Sequence, residues 1–388
     1  MKWLITGDWH IGNLNDSWIL KDGQESKIVE VFKQINRIVD YALKNKIKHL
    51  FILGDMFDKK IPLPKYTRMV IEILNLLDEQ EIETYIILGN HEASNSNESA
   101  LASLIKIKYK NIYVIENIDY VDIENKRIIF VPHIVRSKVL KYFKDSKEED
   151  NLDKLTKMYM IDIINKIIDD KKENIIMGHL HFKGAKVGAE EMMIHGGVNF
   201  FPEIDKKRIS RIFLGHIHKF QILKWGNVEV AYTGSIVRCN FSERGEEKGF
   251  IVYDTKKDDF QFSILNTTKY KQININLVDK DYVDLDENKI RNSVLGKIVK
   301  ISINISEENR KKLNLIEIRE VFSKFCYVSK IEINVEKKNK KNNNFSNFNI
   351  NDIFKDYISK IDNKNINKNK LISIGQKIIN KVKQEYEN

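Results

Sequence analysis

Aspartate, asparagine and histidine recur in this chain at one kind of place, directly after a glycine that ends a short apolar run. Trp3-Leu-Ile-Thr6 leads into Gly7-Asp8-Trp9-His10, His49-Leu-Phe-Ile-Leu53 into Gly54-Asp55-Met-Phe-Asp58, and Tyr85-Ile-Ile-Leu88 into Gly89-Asn90-His91-Glu92. Ile175-Ile-Met177 leads in the same way into Gly178-His179, and Ile212-Phe-Leu214 into Gly215-His216-Ile217-His218. Carboxylate, carboxamide and imidazole donors without thiolate suit borderline-hard divalent cations such as manganese, iron or zinc. Seven or eight such donors are too many for one ion and fit two that share a bridging carboxylate.

Each apolar run reads as a buried parallel strand, because continuous rather than alternating hydrophobicity marks a strand covered on both faces. In an open α/β sheet the carboxyl ends of such strands lie along one edge, so five of them would aim their donors into a single crevice. A glycine ahead of each donor lets the backbone leave the strand sharply and approach the site without a Cβ in the way. The intervening segments suit this arrangement. Ser26 to Lys44 carries Ile28, Val29, Phe32, Ile35, Ile38, Val39, Ala42 and Leu43 at helical spacing and feeds the Asp55 strand, a βαβ crossover. Helices are also predicted from Tyr66 to Leu77, Ser99 to Ile107 and Leu155 to Ile168. Strands are predicted from Tyr113 to Glu116, Arg127 to Val131, Val228 to Thr233 and Gly249 to Asp254. A glycine-rich insertion from Lys183 to Pro202 is expected to loop across the metal edge.

The ordered series Asp8-x-His10, Gly54-Asp55-x-x-Asp58, Gly89-Asn90-His91-Glu92, Gly178-His179 and Gly215-His216-x-His218 resembles the five motifs of the calcineurin-like metallophosphoesterases. Gly54-Asp-Met-Phe-Asp58, Phe201-Pro202 and Tyr232-Thr-Gly-Ser235 resemble the SbcD branch of that family, the nuclease components of SbcCD DNA-repair complexes and their phage homologues. The resemblance implies an α/β metallophosphoesterase sandwich with helices flanking the sheets. It implies that Asp8, His10 and His218 hold one ion, that Asn90, His179 and His216 hold the other, and that Asp55 bridges both. Mn2+ is the expected ion, with Fe2+, Zn2+ and Mg2+ as alternatives. Two such ions acidify a water and clamp the phosphate, so that hydroxide attacks phosphorus in line with no covalent enzyme intermediate. His91, beside a donor, is the candidate acid for the departing sugar oxygen. Asp58, where several relatives carry histidine, either orients a ligand or ends the turn. His49, His133 and His195 read as structural, and His181 as second to the ligands.

Composition fits this reading without deciding it. The net charge of +10, from 65 basic and 55 acidic residues, favours a polyanionic partner such as DNA. Lysine, asparagine and isoleucine are abundant throughout, so part of the basicity is compositional. Cys239 and Cys326 lie outside every motif and suggest neither a disulfide framework nor a thiolate metal site, which fits a reducing cytoplasm. No apolar run approaches the roughly 18 residues a membrane helix needs, and no secretory signal is expected.

The phosphoesterase domain is expected to occupy residues 1–266. Residues 267–336 form a small α+β module, with a strand from Lys297 to Asn304, a helix from Glu307 to Phe325 and a strand from Tyr327 to Val335. It resembles the capping domain that restricts which DNA can enter SbcD sites. Residues 337–349, an Asn/Lys tract, read as a flexible linker. Residues 350–388 carry two helical stripes, Ile350, Ile353, Phe354, Tyr357, Ile358 and Ile361, then Leu371, Ile374, Ile378, Val382 and Tyr386. The resemblance implies that these dock on the coiled-coil root of an SbcC-like, SMC-type ATPase, with the chain a homodimer within a heterotetramer. It thus implies a metal-dependent DNA exonuclease and endonuclease of repair or recombination. Other phosphoesterase activities are the alternatives, on nucleotides, cyclic nucleotides or phosphoproteins. Lys59-Lys60 after Asp58 argues against the phosphatase, whose motif continues Arg-Gly. A metal-free scaffold is a third reading, against which every donor is retained.

Overall fold

The structure is a computed structural model that describes residues 1–93, 101, 108–143, 152–187, 204–278, 285–311, 313–336, 354, 358 and 368–386. Its strands, in chain order, are β1 (Lys2–Thr6), β2 (His49–Leu53), β3 (Glu83–Ile87), β4 (Ile112–Ile115), β5 (Asp119–Ile123), β6 (Lys126–Val131), β7 (Glu173–His179), β8 (Ile209–Gly215), β9 (Gln221–Trp225) and β10 (Val228–Tyr232). They continue with β11 (Gly249–Asp254), β12 (Asp259–Ile264), β13 (Tyr270–Leu277), β14 (Ile298–Ser306) and β15 (Tyr327–Glu336). Two six-stranded sheets result, in the orders β12-β11-β1-β2-β3-β4 and β5-β6-β7-β8-β10-β9. β1 to β4 run parallel in the first, and β6, β7, β8 and β10 run parallel in the second.

The five donor-bearing strands therefore do not share one sheet edge. β1, β2 and β3 belong to the first sheet and β7 and β8 to the second. Alternation along each strand explains how the sheets stack. Trp3, Ile5, Phe51, Leu53, Tyr85 and Ile87 meet Ile128, Phe130, Ile175, Met177 and Phe213 between the sheets. Their neighbours Leu4, Leu50, Ile52 and Ile86 point the other way, under helices Ser26–Lys44 and Pro64–Glu79. On the far side, Ile129, Val131, Ile176 and Ile212 are covered by Tyr159, Met160 and Ile164 of helix Leu152–Ile167. The four layers bury both faces of both sheets, the condition that makes a strand continuously apolar.

The described residues of 270–336 form a unit about a separate apolar cluster that includes Val299, Ile301, Ile303, Ile318 and Phe322. Its three strands are all parallel, in the order β13-β14-β15. The single helix expected from Glu307 to Phe325 is instead two, Glu307–Arg310 and Leu315–Ser323. Asn314 restarts the chain, its side chain accepting the Glu317 N–H at 3.2 Å as an N-cap. This unit touches the larger one through the loop after β1. Trp18 stacks on Tyr327 with ring centroids 4.5 Å apart, and Tyr327 Oη donates to Ser17 O at 3.2 Å.

In the C-terminal region, helix Lys368–Tyr386 is described, and Leu371, Ile374 and Ile378 on it are 36%, 48% and 59% exposed. A Cβ on Gly375 would lie 2.2 Å from a ring carbon of Phe354, so the two stripes touch there. Ile358 of the first stripe is buried, as is Leu101 within the expected 99–107 helix. The rest of that helix, residues 188–202 of the insertion, the 337–349 linker and the first stripe apart from Phe354 and Ile358 lie outside the described residues.

Candidate metal centre

Loops leaving the parallel strands carry the donors, and the backbone bends hard to place them. Asp8, His10, Asp55 and His216 all have positive φ, at 51°, 46°, 49° and 88°, a region that non-glycine residues rarely adopt and that clusters at functional sites. Two of the loops are tied together, Asp8 N–H donating to Gly54 O and His10 N–H to Asp55 O, both at 3.0 Å. Gly54 and Gly89 are required by close approach. A Cβ on the first would lie 2.2 Å from His179 Nδ1, and on the second 2.0 Å from Asp55 Oδ1.

All seven residues read from the sequence as ligands meet in one crevice. Asp55 Oδ2 lies 3.2 Å from His179 Nε2 and 3.7 Å from His10 Nε2. Asn90 Oδ1 lies 2.9 Å from both His179 Nε2 and His216 Nδ1. His10 Nε2 and His218 Nε2 face each other at 2.9 Å, with Asp8 in the same cluster. Asp8, His10, Asp55 and His179 are buried, while Asn90, His216 and His218 are partly open to solvent.

Two of the rings are held from behind and a third is approached. His179 Nδ1 donates to Leu53 O at 2.8 Å and His218 Nδ1 to Glu243 Oε1 at 2.9 Å, while His10 Nδ1 stands 3.3 Å from Asp58 Oδ1. In the first two, Nδ1–H is turned outward and Nε2 faces the crevice. Without metal the crevice shares protons: burial lowers His179, but Asp55 and Asp8 outweigh it and draw it up to about 9. A divalent pair would displace such protons and meet converging carboxylate, carboxamide and imidazole donors, so these residues fit it. The charges agree with this. Burial raises Asp55, but the flanking His179, His10 and His91 outweigh it and hold its carboxyl well below the usual range.

Three residues were not legible as parts of the site. Glu92, buried at 1% exposure, accepts the N–H groups of Asp55 (3.0 Å), Phe57 (2.8 Å) and Gly89 (2.9 Å), so one carboxylate fastens two donor loops. Burial and the nearby Asp55 push it up to about 8. Its place at the end of Gly89-Asn-His-Glu92 was the only signal. Glu243 lies 25 residues beyond His218 and in none of the motifs, although Asn240-x-x-Glu243 has the pattern of a capping box. His133, read as structural, donates its N–H to Leu88 O at 2.9 Å and feels the charges of His179, Asp55 and His91, burial lowering it to about 4. Asp58 orients two rings, His10 through its carboxylate and His91 through its carbonyl, to which His91 Nδ1 donates at 2.7 Å.

The sequence model of the calcineurin-like phosphoesterases matches residues 1–220. The chain belongs to that family. Calcineurin-like phosphoesterases are metal-dependent hydrolases, which accords with the donor set. The chain is 28% identical over 302 residues to the SbcD component of the nuclease SbcCD of Staphylococcus epidermidis, covering 75% of each. With the same component from Staphylococcus saprophyticus it is 24% identical over 299 residues, covering 75% of this chain and 74% of the other. A dimetal phosphatase from Danio rerio superposes with a TM-score of 0.39 at 9% identity, over 65% of this chain and 91% of that one.

Proposed function

We propose that this phosphoesterase is a metal-dependent DNA nuclease, cutting phosphodiester bonds with two divalent ions, of which Mn2+ suits the donors best. The observation that supports the reading most strongly is the convergence of carboxylate, carboxamide and imidazole donors in one crevice at five strand ends, in a chain whose relatives are named as parts of a nuclease. Asp8, His10 and His218 would hold one ion and Asn90, His179 and His216 the other, with Asp55 between them. Bound there, the ions supply Lewis acidity toward the phosphate and the attacking water. The chain itself supplies a buried floor that excludes bulk water, rings fixed in one tautomer, and His91 at the rim. Because His91 Nδ1 is committed to Asp58 O, Nε2 is the nitrogen that delivers a proton to the leaving oxygen. Full-length protein freed of metal should be inactive on linear duplex DNA and on a nitrophenyl phosphodiester, and Mn2+ should restore both. Activity that survives a chelator intact would sink the reading.

Residues 1–266 act in this reading as the nuclease domain, 267–336 as a cap, 337–349 as a linker and 350–388 as the docking tail for an SbcC-like ATPase. Leu371, Ile374 and Ile378 present an apolar stripe at spacings of three and four residues, the form in which helices bind grooves. Phe354 is excluded as an anchor because its ring is taken up against Gly375. Ile374→Glu with Ile378→Glu should therefore leave nitrophenyl phosphodiester hydrolysis unchanged and abolish co-purification with the ATPase and ATP-dependent cutting of duplex. Undiminished binding of the ATPase by the double variant would rule out this surface.

A further inference from the structure

His218 ends the ordered donor series, and what stands behind its ring belongs to no motif. Glu243, on the short turn Phe241–Gly245, receives His218 Nδ1–H on Oε1 at 2.9 Å. Its other oxygen lies 2.6 Å from Lys248 Nζ and accepts the Cys239 N–H at 3.1 Å. Lys248, itself fully buried, donates to the His218 carbonyl at 2.9 Å, to Ser235 Oγ at 2.9 Å and to Glu246 Oε2 at 2.8 Å. One ammonium thus grips both the backbone of His218 and the carboxylate that holds its ring.

We infer that Glu243 is a positioning residue, fixing the His218 tautomer with Nδ1–H outward and aiming Nε2 at the cation position it shares with His10 and Asp8. The inference rests on the two-ion reading given above. His218, Cys239 and Glu243 do place donor atoms within 4.8 Å of one another. Glu243 is nevertheless no ligand, since Oε1 is taken by His218 and Oε2 by Lys248 and Cys239. Carboxylates placed behind a ligating imidazole raise its donor strength, and changing them usually costs about 10–100-fold in metal affinity. The effect should fall on one ion, because His179 is oriented by Leu53 O and the backbone N–H of His216 is held on Asp8 at 3.0 Å, neither of them through Glu243.

The test is Glu243→Gln in the full chain. The amide preserves volume, and Lys248 keeps Glu246, Ser235 and the His218 carbonyl as partners, so the ammonium is not left unpaired; with one acceptor oxygen in place of two, the amide cannot serve both His218 Nδ1–H and the Lys248 and Cys239 donors. Mn2+ titration of metal-free protein should show two binding steps in the wild type and, in the variant, one step weakened about 10–100-fold beside one unmoved. The metal-free melting temperature should fall only slightly, by the cost of one displaced buried hydrogen bond. Two unmoved steps overturn the inference, as does a loss of both steps together with a large fall in the metal-free melting temperature, which would make Glu243 part of the scaffold only. Lys248→Met provides an independent check, since loosening Glu243 should weaken the same step and spare the other. A wild-type chain that takes up no ions would bring down the two-ion reading itself, an outcome separate from either of these.

Discussion

Asp55→Asn should remove at least one of two bound ions and reduce hydrolysis to background. Asp55 sits at 2% exposure with Oδ1 accepting the His91 N–H at 2.9 Å and Oδ2 3.2 Å from His179 Nε2. An amide has one acceptor, and the His91 N–H claims it, so Nδ2 must take the place of Oδ2 and turn its N–H groups toward the His179 and His10 lone pairs. That neutral donor fills the position from which a carboxylate would reach both cations, and it hydrogen-bonds the rings that should ligate them. Changes behind a ligand cost about 10–100-fold in affinity, and replacing the shared carboxylate should exceed that. The metal-free variant should stay folded, since the substitution keeps volume and removes a buried charge. Metal analysis beside a nitrophenyl phosphodiester assay decides the matter. Two ions per chain with near-normal turnover would show that Asp55 does not bridge.

The donor series was readable because each residue is displayed at a strand end behind a glycine, a local signal that survives whatever the tertiary arrangement. Helix Ser26–Lys44 and strand Gly249–Asp254 were readable for the same reason, their periodicity being fixed by the residues themselves. Division of the five strands between two sheets was not. A strand buried between two sheets and a helix layer is as uniformly apolar as one buried in a single sheet between helices, so hydrophobicity alone does not tell them apart. Glu92 and Glu243 escaped for a different reason. Buried carboxylates that serve backbone N–H groups or the back of a ring are recognised by their partners, and the partners that tie these two to the site are distant in sequence, 37 residues from Glu92 to Asp55 and 25 from Glu243 to His218. The break at Asn314 was local and legible in principle, an N-cap residue three before Glu317, but the apolar stripe running across it concealed the restart.

His91→Ala separates proton transfer from metal binding. The ring stands edge-on to His10, centroids 4.8 Å apart at 87°, and donor atoms of His91, His10 and Asp55 lie close enough together that a ligand role is geometrically open. What favours the acid is its attachment. Nδ1 is committed to the Asp58 carbonyl at 2.7 Å, much as His179 and His218 commit theirs, but the backbone N–H of His91 already occupies Asp55 Oδ1, so His91 serves the bridging carboxylate through its main chain. Removing the ring leaves that N–H in place. Metal content should therefore be unchanged, while cutting of DNA slows by about 10²–10⁴-fold, the usual worth of a positioned proton donor. Leaving-group dependence sharpens the test, because a nitrophenolate departs without protonation and its phosphodiester should be hydrolysed at close to the wild-type rate. An equal loss on both substrates with both ions still bound would mean that His91 stabilises the transition state by other means. Loss of an ion would place His91 with His10 and Asp55 as a ligand, and the proton for the sugar oxygen would then have to come from another group at the rim.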